Sequence, residues 1–275
     1  MNRRFLLPLS ALLGGLLAFI LRFLQNVTGF ESDTGLAIPG NLPGMALIAL
    51  LALLSLWCFL LSRRQPAAVS SDFANLFSTE DLRPLTLVIS GIFLMALSGA
   101  LELLGAVSAG STLYPVMSAD GLSFLPLSSG SFSVKGQLLL GLLILVSACS
   151  LFPVAAACRR REAPRPVPGT CLLLPVVCLT LRAGLLYRAV SINPVLAAYY
   201  VELLATVVQI LAFFSLSSFA FQAGKPRRFS FTAALSVVLG LAALGDGLSA
   251  AAPLYLGSGL ALLGFLLLFR PESTS

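Results

Sequence analysis

Residues 45–61 read MALIALLALLSLWCFLL, and Ser62, Arg63 and Arg64 follow directly. This stretch has no charged residue, and about 20 mostly apolar residues are enough for a helix to cross a bilayer. Arginines at the end of such a stretch are typical of the point where a transmembrane helix leaves the lipid on the cytoplasmic side. The stretch therefore predicts a membrane-spanning helix.

Apolar stretches of this kind recur along the whole chain. Hydrophobic residues make up 58% of the 275 residues and charged residues only 10%, whereas soluble domains carry about 25% charged residues. We predict an all-α fold in which residues 1–275 form a single integral membrane domain, a polytopic transmembrane helical bundle of about eight helices in contact with the lipid bilayer. The predicted helices are residues 5–23, 45–61, 85–107, 137–157, 171–187, 195–221, 230–249 and 253–269.

The basic residues lie mainly in alternate loops. Lys and Arg gather in cytoplasmic loops because their translocation is unfavourable. We therefore predict that both termini are cytoplasmic (N-in/C-in), an orientation that places most of the 17 basic residues inside. These residues are Arg3, Arg4, Arg63, Arg64, Arg83, Arg159, Arg160, Arg161, Arg165, Lys225, Arg227, Arg228 and Arg270.

Several classes of function have no support in the sequence. The net charge of +6 belongs to these loops and does not indicate a nucleic-acid partner. The chain has no histidine and no CxxC spacing among its five cysteines, so we expect buried free thiols and no metal site. No P-loop, HExxH or G-x-S-x-G motif occurs. We therefore expect no cofactor and no catalytic residue, and the chain is not predicted to be an enzyme.

Charged side chains inside the apolar stretches are the most informative residues. Each charge at a helix centre costs about 2.5–3.5 kcal/mol on insertion scales, so its presence needs a reason. The chain direction of the predicted helices places Glu102, Arg182, Glu202 and Asp246 in the outer half of the bundle, and Gln209 deeper in the sixth helix. The pattern predicts a polar cavity open to the outside, above an apolar floor.

Arg182 and Glu202 are predicted to form an ion pair. They flank a short outer turn, residues 189–194, and lie at similar depth on antiparallel helices. Tyr199 lies three residues before Glu202 and so shares its helix face. This pair could serve a solute or only fix helix packing. The candidate substrate-binding residues are Arg182, Glu202, Tyr199, Glu102, Asp246 and Gln209.

Other polar residues at the outer helix ends have simpler interpretations. Arg22 and Arg188 are predicted to extend their side chains to the headgroups. Tyr200 and Tyr255 are expected at headgroup depth, where the ring is buried and the hydroxyl is wet. Asp246, between two glycines, is predicted to end a helix or form a turn more than to bind a ligand.

Two loops and one glycine-rich segment carry further predictions. Residues 65–82 contain Phe73, Leu76 and Phe77 at helical spacing, which predicts a short helix at the inner membrane surface. The outer loop 108–136 is either a lid or re-entrant segment, or a loop that is disordered or lies on the surface. The glycines of the segment 257–264 predict close helix packing through small residues, not a nucleotide loop.

Short sequence matches between the two halves of the chain suggest a 4+4 parallel repeat. Leu6-Leu7-Pro8 opens the first predicted helix and Leu173-Leu174-Pro175 the fifth, and Asp-Gly-Leu-Ser occurs at 120–123 and at 246–249. A duplicated four-helix unit is one interpretation. Chance similarity between leucine-rich helices is the other.

The chain resembles uncharacterised multi-spanning membrane proteins of anaerobic Gram-positive bacteria. The residues that carry this resemblance are Phe30-Glu31-Ser32-Asp33-Thr34-Gly35-Leu36 and the segment 193–204. The resemblance implies a multi-pass protein of the bacterial plasma membrane. It implies no activity.

Two functions follow from these observations. The first is a solute transporter, or a membrane substrate-binding component, with an outward-facing polar cavity for a small-molecule solute. The second is an accessory or sensor subunit that pairs with another membrane protein and whose intramembrane ion pairs are structural. A membrane enzyme acting on lipid is a third and weaker hypothesis, since it would have to use carboxylates alone.

Overall fold

The computed structural model describes residues 5–31, 36–65, 73–110, 134–159, 169–190, 199–247 and 249–269. Within these residues the chain is helical, with no β-strand, and the predicted polytopic helical bundle is confirmed. The helices are α1 (Leu6–Thr28), α2 (Leu42–Ser62), α3 (Phe73–Phe77), α4 (Leu82–Gly110), α5 (Val134–Ala157), α6 (Gly169–Val190), α7 (Tyr200–Ala220), α8 (Pro226–Ala243) and α9 (Ala252–Leu268).

Eight of these helices correspond to the predicted spans. Seven are long and apolar enough to cross a membrane, α8 being extended by a 3-10 turn, Leu244–Asp246. The eighth, α9, has 17 residues and a length of about 25 Å, somewhat less than the hydrocarbon core of a typical bilayer. Because 13 of its 17 residues are buried among other helices, α9 has little contact with lipid that would require a full span.

Six helices close a ring, since α4, α5, α6, α7, α8 and α9 pack in that order and α9 returns to α4. Outside the ring, α1 packs on α8, and α2 packs on α1 and α8. Polar contacts place the C-terminal parts of α1, α4, α6 and α8 at the same end as the N-terminal parts of α7 and α9. We call this the outer end, following the predicted orientation, and the opposite end the inner end.

The packing gives the predicted repeat no support. In a 4+4 duplication α4 would correspond to α8, and α5 to α9. The contact between α4 and α9 would then have a counterpart between α8 and α5. The first pair packs along much of its length, whereas the second pair is not among the main packing pairs of the described helices. The match at residues 120–123 lies outside the described residues.

The inner end of the bundle is closed by an aromatic cluster. Phe77 is fully buried and stacks on Phe73, with ring centroids 4.5 Å apart. It also packs against phenylalanines of α7, α8 and α9 and of the segment after α9. These are Phe219, Phe229, Phe265 and Phe269, with centroids 5.5–6.2 Å from that of Phe77.

The prediction of a short helix at the inner membrane surface within residues 65–82 was therefore wrong about where the helix lies. The segment forms α3, but its apolar side chains point into the bundle and do not rest on the membrane surface. A five-residue helix offers little area for surface anchoring, whereas Phe77 gains contacts with several rings by turning inward. A hydrogen bond from Thr79 N–H to the carbonyl of Cys158 ties the segment to the end of α5.

The cysteines are free, as predicted, but only three are buried. Cys58, Cys158 and Cys178 lie in the core, whereas Cys149 is exposed and Cys171 is half-buried. The last two lie on outward-facing positions of α5 and α6, so helix position and not residue type decides their burial.

Glycines set the closest helix contact, between α4 and α9, and the predicted small-residue packing is confirmed. A Cβ at Gly91 would lie 2.5 Å from the carbonyl oxygen of Gly257 and 2.6 Å from the amide nitrogen of Ala261. A Cβ at Gly264 would lie 2.9 Å from the amide nitrogen of Val88. Backbone atoms cannot move aside as a flexible side chain can, so a glycine is needed at both contacts.

Gly91→Ala should therefore destabilise the bundle by about 1–3 kcal/mol, because the added methyl group pushes α4 away from α9. The measurement is the thermal unfolding midpoint of the purified protein in detergent. Gly105→Ala, on the same helix, is the matched control, since no atom lies within 4 Å of the added Cβ. Equal midpoints for the two variants would contradict the proposed close contact.

Candidate functional site

Charged residues meet at the outer end in two neighbouring groups. The first joins α1 to the end of α8. Arg22 is fully buried, and its Nε donates to Asp246 Oδ1 at 2.5 Å while its Nη1 donates to Gln25 Oε1 at 2.9 Å. Asn26 Nδ2 donates to the same Asp246 oxygen at 3.0 Å. One guanidinium thus faces one carboxylate.

The prediction that Arg22 extends to the headgroups was wrong. Helix α1 does not stop near Arg22 but continues to Thr28, which leaves Arg22 inside the helix and on its packed face. Gly245 makes this possible, because a Cβ there would lie 2.8 Å from Arg22 Cβ. Asp246 ends the 3-10 turn, as predicted for a turn residue, and its carboxylate also neutralises Arg22.

The second group centres on Arg182, whose side chain is 3% exposed. Its Nη2 donates to Glu202 Oε1 at 2.9 Å, which confirms the predicted ion pair between α6 and α7. Its Nη1 lies 3.6 Å from Glu102 Oε1 on α4 and makes no hydrogen bond to the described residues. The same guanidinium therefore faces two carboxylates from different helices.

Tyr255 of α9 completes this second group. Its hydroxyl accepts a hydrogen bond from Arg182 Nε at 3.1 Å and lies 3.1 Å from Glu202 Oε1, to which it donates. Thr206 Oγ1 lies 2.8 Å from the same hydroxyl. We call Arg182, Glu102, Glu202, Tyr255 and Thr206 the outer polar cluster, which joins α4, α6, α7 and α9.

Sequence reasoning missed the role of Tyr255, which was expected at headgroup depth but is only 2% exposed. A tyrosine near the start of an apolar helix fits both positions equally well. No sequence signal separates the two positions: α9 is apolar on all sides, but so is α2, most of whose residues are exposed.

The remaining predicted site residues lie outside the outer polar cluster. Gln209 is fully buried two turns below Glu202, and its Nε2 donates to the backbone carbonyl of Tyr255 at 3.3 Å. Tyr199 lies half-buried at the start of α7, where its carbonyl accepts from Leu203 N–H at 3.1 Å. Asp246 belongs to the Arg22 group and not to the outer polar cluster.

Exposure differs sharply within the cluster. The side chains of Arg182 and Glu102 are 3% and 2% exposed, whereas that of Glu202 is 24% exposed. Of these three side chains, that of Glu202 is therefore the one that the protein leaves partly uncovered. Most of the outer loop 108–136 and of the outer turn 189–194 lies outside the described residues, so the polar cavity open to the outside stays a prediction.

Below the cluster the bundle is apolar. Among the described residues the fully buried charged side chains are Arg22, Glu102 and Arg182, all at the outer end. Toward the inner end, α7 contributes Ala212, Phe213 and Leu216 to the core, and the aromatic cluster around Phe77 follows. The described residues thus bury no charged side chain below the cluster, although uncharged polar side chains, including Gln209, Ser217 and Ser230, are buried there.

Comparisons with known proteins give no further information about this site, since no protein-family model, curated protein or solved structure matches the chain. Within the described part of the chain, no three Cys, Asp or Glu side chains are grouped as ligands of a metal ion.

Tyr255→Phe should lower the stability of the bundle by about 1–3 kcal/mol, because the buried Arg182 Nε loses its acceptor while the ring packing is retained. The thermal unfolding midpoint in detergent measures this loss. Tyr187→Phe is the control, since Tyr187 is 62% exposed and the change should have almost no effect. A Tyr255→Phe variant as stable as the parent would show that the hydroxyl does not support Arg182.

Proposed function

We propose that this integral membrane protein lies in the bacterial plasma membrane and binds a small solute at the outer polar cluster, as a transporter or as the membrane substrate-binding component of one. The observation that carries the proposal is the sharing of one buried guanidinium, Arg182, by two carboxylates, of which Glu202 is partly open. Ionisable residues inside membrane bundles frequently mark the pathway of a substrate or ion.

The Arg22 group provides a comparison within the same molecule. It contains one cation and one carboxylate, and Arg22 donates hydrogen bonds to Asp246 and to Gln25. This arrangement is what a structural ion pair requires. The outer polar cluster contains a second carboxylate, Glu102, which is almost completely buried and which helix packing alone does not need. Since every buried charge is costly, the additional carboxylate favours a functional role.

The charge balance of the cluster indicates the class of solute. With both carboxylates ionised, Arg182 leaves one negative charge uncompensated in a site of low dielectric constant. A proton on one carboxylate or a positively charged group of a solute would remove this excess. Because Glu202 is the exposed carboxylate, we infer that the solute carries a protonated amine that binds at Glu202, and that Glu102 maintains the charge balance from below.

The second candidate function is an accessory or sensor subunit. It is favoured by the observation that the cluster links helices α6, α7 and α9 by direct hydrogen bonds, which would hold these helices together in a purely structural role. In that case solutes would have no effect on stability. The two functions therefore differ in one measurable property, the response of the folded protein to small amines.

A ligand that binds only the folded state raises its apparent stability. We expect members of a panel of small primary and secondary amines to raise the thermal unfolding midpoint of the purified protein, and matched carboxylic acids and neutral alcohols to have no effect. Glu202→Gln should remove this increase and leave the protein folded, because the amide retains hydrogen-bonding capacity but has no charge.

Glu31→Gln is the control, since it removes an exposed carboxylate that is also predicted to lie outside. It should leave the response to amines unchanged. The proposal is contradicted if no amine raises the midpoint, or if the increase survives in Glu202→Gln. The first result would favour the accessory subunit.

A further inference from the structure

An apolar groove runs between α1 and α2 on the outside of the bundle. Its volume is about 650 Å³, within the range of about 300–1,000 Å³ that small-molecule sites occupy. Leu13 and Leu17 form one wall, and Leu53, Trp57 and Leu60 form the other. The groove lies in the first half of α1 and the second half of α2, and therefore toward the inner end.

Gly14 creates the floor of this groove. A Cβ at Gly14 would lie 2.6 Å from Leu54 Cδ2, so the absence of a side chain lets Leu54 pack against the backbone of α1. The neighbouring side chains stand out on both sides, and Leu13 and Leu53 are 61% and 65% exposed. The result is an apolar groove between the two helices, lined over about two turns of α1 and three turns of α2.

Arginines lie at the inner end of the groove. Arg63 and Arg64 follow α2 directly, and both are exposed. The Arg63 guanidinium lies over the ring of Phe59, 4.7 Å from its centroid, and no carboxylate among the described residues pairs with either arginine. Arg227 lies beside the residue that follows Arg64, because its Nε donates to the carbonyl of Gln65 at 2.9 Å. Three cations thus lie at or just beyond the inner end of α2, which forms one wall of the groove.

The geometry points to a binding site for an anionic phospholipid of the inner leaflet, with one acyl chain in the α1–α2 groove and its phosphate at Arg63 and Arg64. The groove reaches Leu60, and Arg63 follows only three residues later at the end of α2, so one lipid could contact both the apolar wall and the arginines. Basic residues near the surface of an anionic leaflet are attracted to its headgroups. This site is separate from the outer polar cluster and does not depend on the proposed function.

The single tryptophan of the chain gives a direct reporter, because Trp57 lines the groove. The full chain is reconstituted in phosphatidylcholine bilayers that contain a small fraction of brominated-chain lipid, which quenches tryptophan on contact. Brominated phosphatidylglycerol should quench Trp57 at least twofold more strongly than brominated phosphatidylcholine at the same mole fraction. High salt should reduce the difference, because it screens the headgroup contact.

The arginines are tested by the double change Arg63→Gln and Arg64→Gln, which should make the two lipids quench equally. The matched control is Arg83→Gln with Arg159→Gln, which removes two exposed arginines from the same predicted face at the ends of α4 and α5. The control should retain the preference for phosphatidylglycerol.

Three outcomes would overturn the inference. Equal quenching by both lipids in the parent protein would exclude headgroup selection. Equal loss of the preference in both double variants would assign it to general surface charge. No quenching by either lipid would show that a protein surface, such as a second copy of this chain, covers the groove. If the Arg63 and Arg64 variant does not fold, the parent comparison and its salt dependence still decide the matter.

Discussion

The charge of Arg182 has to be neutralised inside a bundle whose core consists mainly of apolar side chains. Removing an arginine from water is costly, and only close carboxylates with good geometry offset this cost. Glu202 and Glu102 come from different helices, and the Tyr255 hydroxyl comes from a third. The positions of α4, α7 and α9 relative to α6 are therefore restrained together at the outer end.

The two ends of the bundle are held by different forces. The outer end depends on charges and hydrogen bonds, which fix directions and distances. The inner end depends on the aromatic cluster around Phe77, and the middle depends on the close approach of Gly91 and Gly257. An apolar inner end beneath a charged outer end suits a protein that receives a polar molecule from one side. Passage to the other side would require the inner aromatic cluster to open.

Much of this structure could be predicted from the sequence. Apolar length and the alternation of arginines predict the spans, because both follow directly from the cost of placing charge in lipid. The pair of Arg182 and Glu202 could be predicted since a short turn fixes their relative depth. Arg22, Tyr255 and Phe77 were placed wrongly at a membrane surface, because each side chain suits both a surface and a buried partner. Their burial depends on helices distant in sequence, which periodicity cannot reveal.

A comparison of thermal stability in bilayer discs tests the central role of Arg182 most directly. The variants are Arg182→Met, the pair Glu102→Gln with Glu202→Gln, and all three changes together. We predict that Arg182→Met alone loses about 3–5 kcal/mol of stability, since it leaves two carboxylates without their cation, and that the triple variant regains most of this loss. A triple variant whose loss equals the sum of the separate losses would contradict it, because the charges would then act independently.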